Sequence, residues 1–304
     1  MRVSRAKLVA AFAAIYIIWG STYLAILMAI QTLPPLLMAG TRFLIAGLIL
    51  FAWSRRSDGP PPTPRQWRNA AIIGLLLLVG GNGAVVLAQR DIPSGLAALL
   101  VSILPFWMVL LEWVRPGGTK PTRGVVAGLF LGLVGLIVLI GPSAMGSAEN
   151  EIRLAAVVLL LLGSLSWATG SLLAQHIDLP QSASLATAIE MLVAGLVFVV
   201  VSTLAGEPMH FDMARVSARS VAGLVYLIVF GSIVAFSAYV WLLKVAAPAK
   251  VATYAYVNPV VALLLGWVFA GERLSLRTAV ASAIVIAAVA LITTARSSRA
   301  PPAT

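Results

Sequence analysis

The chain has 304 residues, of which 61% are hydrophobic and only 10% charged, whereas a soluble domain carries about a quarter charged residues. The 21 Lys and Arg and 10 Asp and Glu are too few to cover a soluble globule, and the mean hydropathy of +1.01 agrees, so an all-α integral membrane protein is expected. The absence of cysteine excludes disulfides, Cys-ligated zinc and thiol catalysis, and the net charge of +11 needs an account of where the cations sit.

Crossing about 30 Å of hydrocarbon takes roughly 20 apolar residues in a helix. Uninterrupted apolar runs predict ten spans, at about 8–30, 35–53, 70–88, 94–114, 123–141, 153–175, 183–205, 220–243, 250–270 and 277–295. The first follows Arg2, Arg5 and Lys7 and resembles a signal peptide, but it is too long, lacks a convincing cleavage site and precedes nine more, so it is read as retained. Ten spans put both termini on one side. If that side is the cytoplasm, its tails and loops hold 14 Lys and Arg, in the two tails, at Arg55 to Arg68, at Arg115 to Arg123, and at Lys244 and Lys250. The other side holds 6: Arg90, Arg153, Arg215, Arg219, Arg273 and Arg277. The positive-inside rule therefore predicts cytoplasmic N- and C-termini in a cell inner membrane. The cations face the lipid bilayer surface, and no nucleic acid partner is expected.

The two halves align on each other. A shift of 148 sets Trp19 on Trp167 and TRFLIAGLILF (41–51) over IEMLVAGLVFV (189–199). A shift of 154 sets LPFWMVLLEWV (104–114) over NPVVALLLGWV (258–268), pairing Pro105 with Pro259 and Trp113 with Trp267, then Gly117 with Gly271 and Arg123 with Arg277. Composition would match Leu and Val, but not two Trp pairs, a Pro pair and an Arg pair in order. The repeats are read as 8–141 (helices 1–5) and 153–295 (helices 6–10). Because five is odd, the second must enter the membrane from the opposite face, and the repeats are inverted. Secondary transporters share this plan, with a substrate site near the midplane.

The strings IIWGSTY (17–23), MAGTRFLIAG (38–47), NGAVVLAQRDIPSGLAALL (82–100), SLSWATGS (164–171) and YAYVNPVVALLLGWVFAGERLS (254–275) resemble the EamA-domain branch of the drug/metabolite transporter superfamily. They are most like its YedA-type inner-membrane exporters, with the amino-acid exporter YddG more distant. The resemblance implies a ten-helix bundle of two inverted EamA repeats, a central cavity lined mainly by helices 1, 3, 4, 6, 8 and 9, and export of small metabolites. It does not name the cargo.

Within the spans, polar and aromatic groups away from the interfaces are the informative ones. Trp53, Trp67, Trp113, Trp241 and Trp267 lie near span ends and read as interfacial anchors. Trp19 and Trp167 are deep, and each is either a cavity wall or helix packing. Arg42 and Glu190 are charges inside spans at equivalent repeat positions, and we read Arg42 as structural or gating and Glu190 as a site that could couple a proton. Asn82, among Gly80, Gly81 and Gly83, reads either as a substrate hydrogen-bonding group or as interhelical glue. In helix 9, Tyr254 and Asn258 share a face ahead of Pro259, with Tyr256 pointing elsewhere. Pro259 frees a carbonyl near residue 255, and Pro105 is expected to break helix 4 in the same way. Tyr239 is a further cavity candidate. Gly124, Gly128 and Gly132 form a small-residue series that serves either a homodimer seam or packing within the chain.

With His176 and His210 the only histidines, neither near a carboxylate pair at ligand spacing, no metal site is expected. No cofactor is expected either. Phosphate-loop, HExxH and GxSxG motifs are missing, so the chain reads as neither an ATP-driven pump nor an enzyme. The expected function is a secondary transporter that exports a small-molecule substrate by alternating access, amino acids first, with hydrophobic or aromatic ones favoured. The alternatives are an exporter of cationic drugs, a channel-like facilitator, and a duplicated scaffold without cargo.

Overall fold

A computed structural model describes residues 4–54, 61–116, 118, 120–140, 154–246, 251, 253–272 and 275–297. Arg2, Arg55, Arg56, Arg153, Lys250, Arg273 and Arg299 of the charge argument, Gly117 of the repeat alignment and the repeat bounds 141 and 153 lie outside the described residues, as do the side chains of Tyr256 and Arg296.

A backbone in hydrocarbon must satisfy its own polar groups, and the helix does so within one segment. The chain accordingly forms α1 (Arg5–Ala29), α2 (Pro35–Ser54), α3 (Pro64–Ala88), α4 (Ser94–Val114), α5 (Arg123–Ile140), α6 (Leu154–Leu173), α7 (Ala183–Leu204), α8 (Ala218–Val245), α9 (Tyr254–Ala270) and α10 (Leu276–Ser297). Seven are long and apolar enough to cross a membrane, and α5, α9 and α10 carry shorter apolar stretches. The ten match the ten runs of the sequence. The starts follow local chemistry: Thr63 and Gln66 form a reciprocal capping box ahead of Pro64, Ser182 accepts from Leu185 N–H, and Ser217 accepts from Ser220 N–H.

Glycines set the direction of the packing. A Cβ on Gly40 would lie 2.8 Å from Val199 Cγ2, one on Gly195 2.7 Å from Leu44 N, and one on Gly47 3.0 Å from Leu192 N. Numbers rise on α2 as they fall on α7, so these equivalent helices run antiparallel with their backbones almost touching. The α5 and α10 pair repeats the arrangement, with Gly132 facing Ala288 and Gly135 facing Val285. Of the small-residue series of α5, Gly132 thus faces α10, while Val126, Phe130 and Ile137 on the same helix are exposed.

The remaining contacts are exchanged by the same two-fold relation. α1 packs on α8 as α6 packs on α3, α9 packs on α1 as α4 packs on α6, and α4 meets its own equivalent α9. The repeats are inverted, and their axis passes through the α2–α7, α4–α9 and α5–α10 contacts.

Candidate functional site

Three helices depart from the i→i+4 pattern where they reach the centre. α1 is π-helical over Ala14–Ile18, α3 over Leu75–Asn82 and α8 over Leu227–Phe236. The last two are repeat equivalents, and such widened turns gather at functional sites. Glycine at Gly80, Gly81 and Gly231 makes room there: a Cβ at Gly81 would press on the Trp167 ring at 2.6 Å.

Trp19 and Trp167 meet edge to face at 5.5 Å. Two-fold equivalents touch only near their axis, so the pair marks the centre of the bundle. Trp19 also lies 4.9 Å from Tyr239 and 5.2 Å from Tyr254, with Phe236 at 6.4 Å. Polar tips fix these rings. Trp19 Nε1 donates to the Gly231 carbonyl (3.3 Å), and Trp167 Nε1 donates to Tyr239 Oη (3.1 Å), which is 2.6 Å from Ser171 Oγ. Both indole N–H groups are thereby taken within the chain, leaving ring faces to a ligand.

Against this aromatic layer lies a cavity of about 70 Å³, lined by residues of α1, α2, α3, α4, α6, α8 and α9. Its volume holds a few waters at roughly 10–15 Å³ each. Trp19, Arg42, Asn82, Trp167, Tyr254 and Asn258 all line it. Tyr239 does not. It is 1% exposed and backs the layer from behind.

The family resemblance left α2 out of the lining, and the structure puts it in through Arg42 and Phe43. The Arg42 guanidinium lies over the Phe43 ring at 4.7 Å, Nε donates to Ser232 Oγ (2.8 Å) and Nη1 to Asn82 Oδ1 (3.4 Å). Asn82 therefore serves a neighbour with its oxygen, while its nitrogen has no hydrogen-bond partner among the described residues.

The two prolines sit differently in their helices, and the break expected in helix 4 is present just ahead of Pro105. Pro105 does not kink a continuous helix: α4 is interrupted at Ser102 and Ile103, and Pro105 sits in the first turn of the segment that restarts at Leu104, where its missing N–H has no partner to lose. It is buried away from the cavity, to which α4 contributes Val101. Pro259 does sit inside α9. With its amide turned to suit its neighbours, Asn258 donates to the carbonyls of Tyr16 (3.0 Å), Ile15 (3.2 Å) and Tyr254 (3.2 Å). It therefore ties α9 to the π-helical turn of α1.

Glu190 and Arg42, though equivalent in the repeats, do not meet. Each lies about two turns into its helix, and inversion puts them in opposite halves of the bundle. Glu190 lines a separate cavity of about 20 Å³ with Lys244 among α3, α7, α8 and the α6–α7 connection, where Leu77 and Glu190 are the repeat equivalents of Gly231 and Arg42 in the larger chamber. Lys244 Nζ donates to the Pro180 and Gln181 carbonyls, and Glu190 Oε2 is buried without a hydrogen-bond partner among the described residues.

Sequence reasoning also passed over Trp107, whose Nε1 donates to Ser164 Oγ (2.9 Å) in the cavity wall. It missed Ser232 as well, which pins Arg42. Neither lies in a motif whose spacing marks it, although Ser232 follows Gly231, and a Gly-Ser pair in mid-helix is a signal of irregularity.

This arrangement of inverted five-helix repeats around a central cavity agrees with sequence comparison. The EamA-like transporter family matches residues 6–141 and 154–294. The chain belongs to that family. It is 42% identical over 92% of its length, and 88% of the other protein, to the uncharacterized inner membrane transporter YedA of Escherichia coli K12. It is 26% identical to a probable amino-acid metabolite efflux pump of Salmonella typhimurium LT2, over 86% of each chain. A solved crystal structure 20% identical in sequence superposes with a TM-score of 0.68 over 98% of this chain and 100% of that one, which speaks to the fold alone. The chain is a membrane transporter, as are the relatives so named.

Proposed function

We propose that this transporter resides in the cytoplasmic membrane and exports small amphipathic metabolites by alternating access, amino acids with hydrophobic or aromatic side chains first. The observation that carries the reading is the layer of rings at the contact between two-fold equivalents, with a cavity on one side of it. An apolar side chain can lie on those faces while its polar end meets Asn82, Asn258 and Arg42. The cavity at Glu190 supplies the alternate access route once the repeats rock. Binding of cationic drugs through the rings, by contacts of about 0.5–2 kcal/mol, is opposed by the Arg42 charge in the same wall.

Cells expressing the protein should resist toxic aromatic amino-acid analogues, and proteoliposomes should release labelled aromatic amino acids. Resistance to lipophilic cations alone would replace this reading with a multidrug one, and steady ion conductance in a planar bilayer would replace it with a channel. Repeating the release with and without a pH gradient shows whether protons drive it.

The termini are proposed to be cytoplasmic on the charge distribution given above. Because the chain has no cysteine, single replacements report cleanly. A membrane-impermeant maleimide added outside should label Asp212→Cys, in the α7–α8 connection, and leave Gln181→Cys, in the α6–α7 connection, unlabelled. The reverse pattern would invert the assignment.

A further inference from the structure

We infer that Arg42 is the specificity-determining residue of the cavity and that it selects cargo bearing a carboxylate. The inference rests on the export reading and adds the chemistry of the cargo's polar end. Arg42 is 3% exposed, and among the described residues no carboxylate lies within 4.0 Å of its guanidinium. Ser232 Oγ and Asn82 Oδ1 hold it by hydrogen bonds, yet both are neutral groups that orient a charge without balancing it. A cation kept in a membrane interior without an anion is costly, and such residues mark transport pathways.

The orientation is suited to an incoming anion. Nε is pinned at 2.8 Å and Nη1 only loosely at 3.4 Å, while Nη2 has no hydrogen-bond partner among the described residues. The free fork is the part of a guanidinium that grips a carboxylate through two parallel bonds. Space beside it is kept by Gly231, where an added Cβ would lie 3.1 Å from Nη2. The carbonyl of that same glycine accepts the Trp19 indole N–H, so the cation and the aromatic layer are joined through two consecutive residues of α8. A carboxylate at Arg42 therefore places an attached apolar group toward Trp19 and Trp167. Asn82, with its amide nitrogen unpartnered beside Arg42, is the second donor such a carboxylate can use.

The test is binding to the intact protein in nanodiscs, followed by quenching of tryptophan fluorescence, with three probes: L-phenylalanine, 3-phenylpropionate, which lacks the amine, and phenethylamine, which lacks the carboxylate. The two acids should bind at least tenfold more tightly than the amine, and Arg42→Gln should abolish that preference while Arg42→Lys keeps part of it. Equal or tighter binding of phenethylamine to the native protein would overturn the assignment, as would a preference that survives Arg42→Gln. The native ladder alone decides the matter if the variant does not fold. Protection by chloride with no binding of either acid would assign the site to an inorganic anion and overturn the proposal. If export of phenylalanine fails while both acids still bind, the export reading falls and the Arg42 assignment stands.

Discussion

Trp19→Ala should reduce efflux at least tenfold while the protein still inserts into the membrane. Trp19 touches Trp167, Phe236, Tyr239 and Tyr254, lines the cavity, which Tyr239 does not, and its N–H holds the π-helical stretch of α8 beside Arg42. Removing a buried indole costs about 3–5 kcal/mol of packing. Here that loss falls on the layer between the two proposed access routes, so leak and substrate contact are expected to change together. Trp167→Ala should act in the same direction, because Trp167 carries the mirror position and orients Tyr239. Trp19→Phe keeps a ring but loses the bond to Gly231 and should fall between the two. Efflux is to be read against membrane abundance and the thermal stability of the purified protein. Native efflux from both alanine variants would return the pair to a packing role.

The second large effect concerns two glutamates that cross between repeats. Glu207, after α7, accepts from the Leu36 and Leu37 N–H groups at the start of α2 (3.2 and 2.8 Å) and from Ser202 Oγ. Glu272, after α9, accepts from Ser94 N–H and Ser94 Oγ, both at 2.6 Å, and from Gly95 N–H (3.1 Å) at the start of α4. Gly271, at φ +67°, supplies the left-handed turn that brings Glu272 back. Each carboxylate meets the positive end of a helix and fills orphan donors that Pro34 and Pro93, in the capping positions, cannot serve. Both helices start at the same end of the bundle, so the second repeat latches the first there at two points. Leaving such buried donors unfilled costs about 1–3 kcal/mol each.

The Glu207→Ala, Glu272→Ala double variant should therefore populate the state opened at that end. With Ile26→Cys as reporter, which lines the cavity and is 1% exposed, maleimide labelling should rise severalfold over the same reporter with both glutamates present. Unchanged labelling would mean that the contacts only stabilise helix ends. Glu207→Gln and Glu272→Gln, which keep an acceptor but lose the charge, should lie between.

Much of this bundle is legible in the sequence because hydrocarbon imposes one length and one kind of backbone. The ten runs, the odd repeat and the pairing of Trp19 with Trp167 follow from counting and alignment. The site is less so. Periodicity does not distinguish a π-helical turn from its neighbours, so the widened stretches at Leu75 and Leu227 leave no mark except glycine, and the one at Ala14 leaves none. Proline reads as a breaker in both repeats, and α4 does break just ahead of Pro105, which cannot donate to the Val101 carbonyl, whereas α9 runs on through Pro259. Arg42 enters the cavity only because α2 is drawn close to α7 and α8 by Gly40, Gly47, Gly195 and Gly231, a contact between distant segments.

The inverted duplication would, with matching side chains, yield two end states of equal energy, each the other turned over. Arg42 and Glu190 stand at corresponding places with opposite sign, and this breaks the equivalence where a charged solute feels it most. In the proposed cycle the molecule is thereby polarised: the chamber at Arg42 presents a cation, whereas the cavity at Glu190 holds a carboxyl group beside Lys244, so the two half-cycles are not expected to share one energy profile.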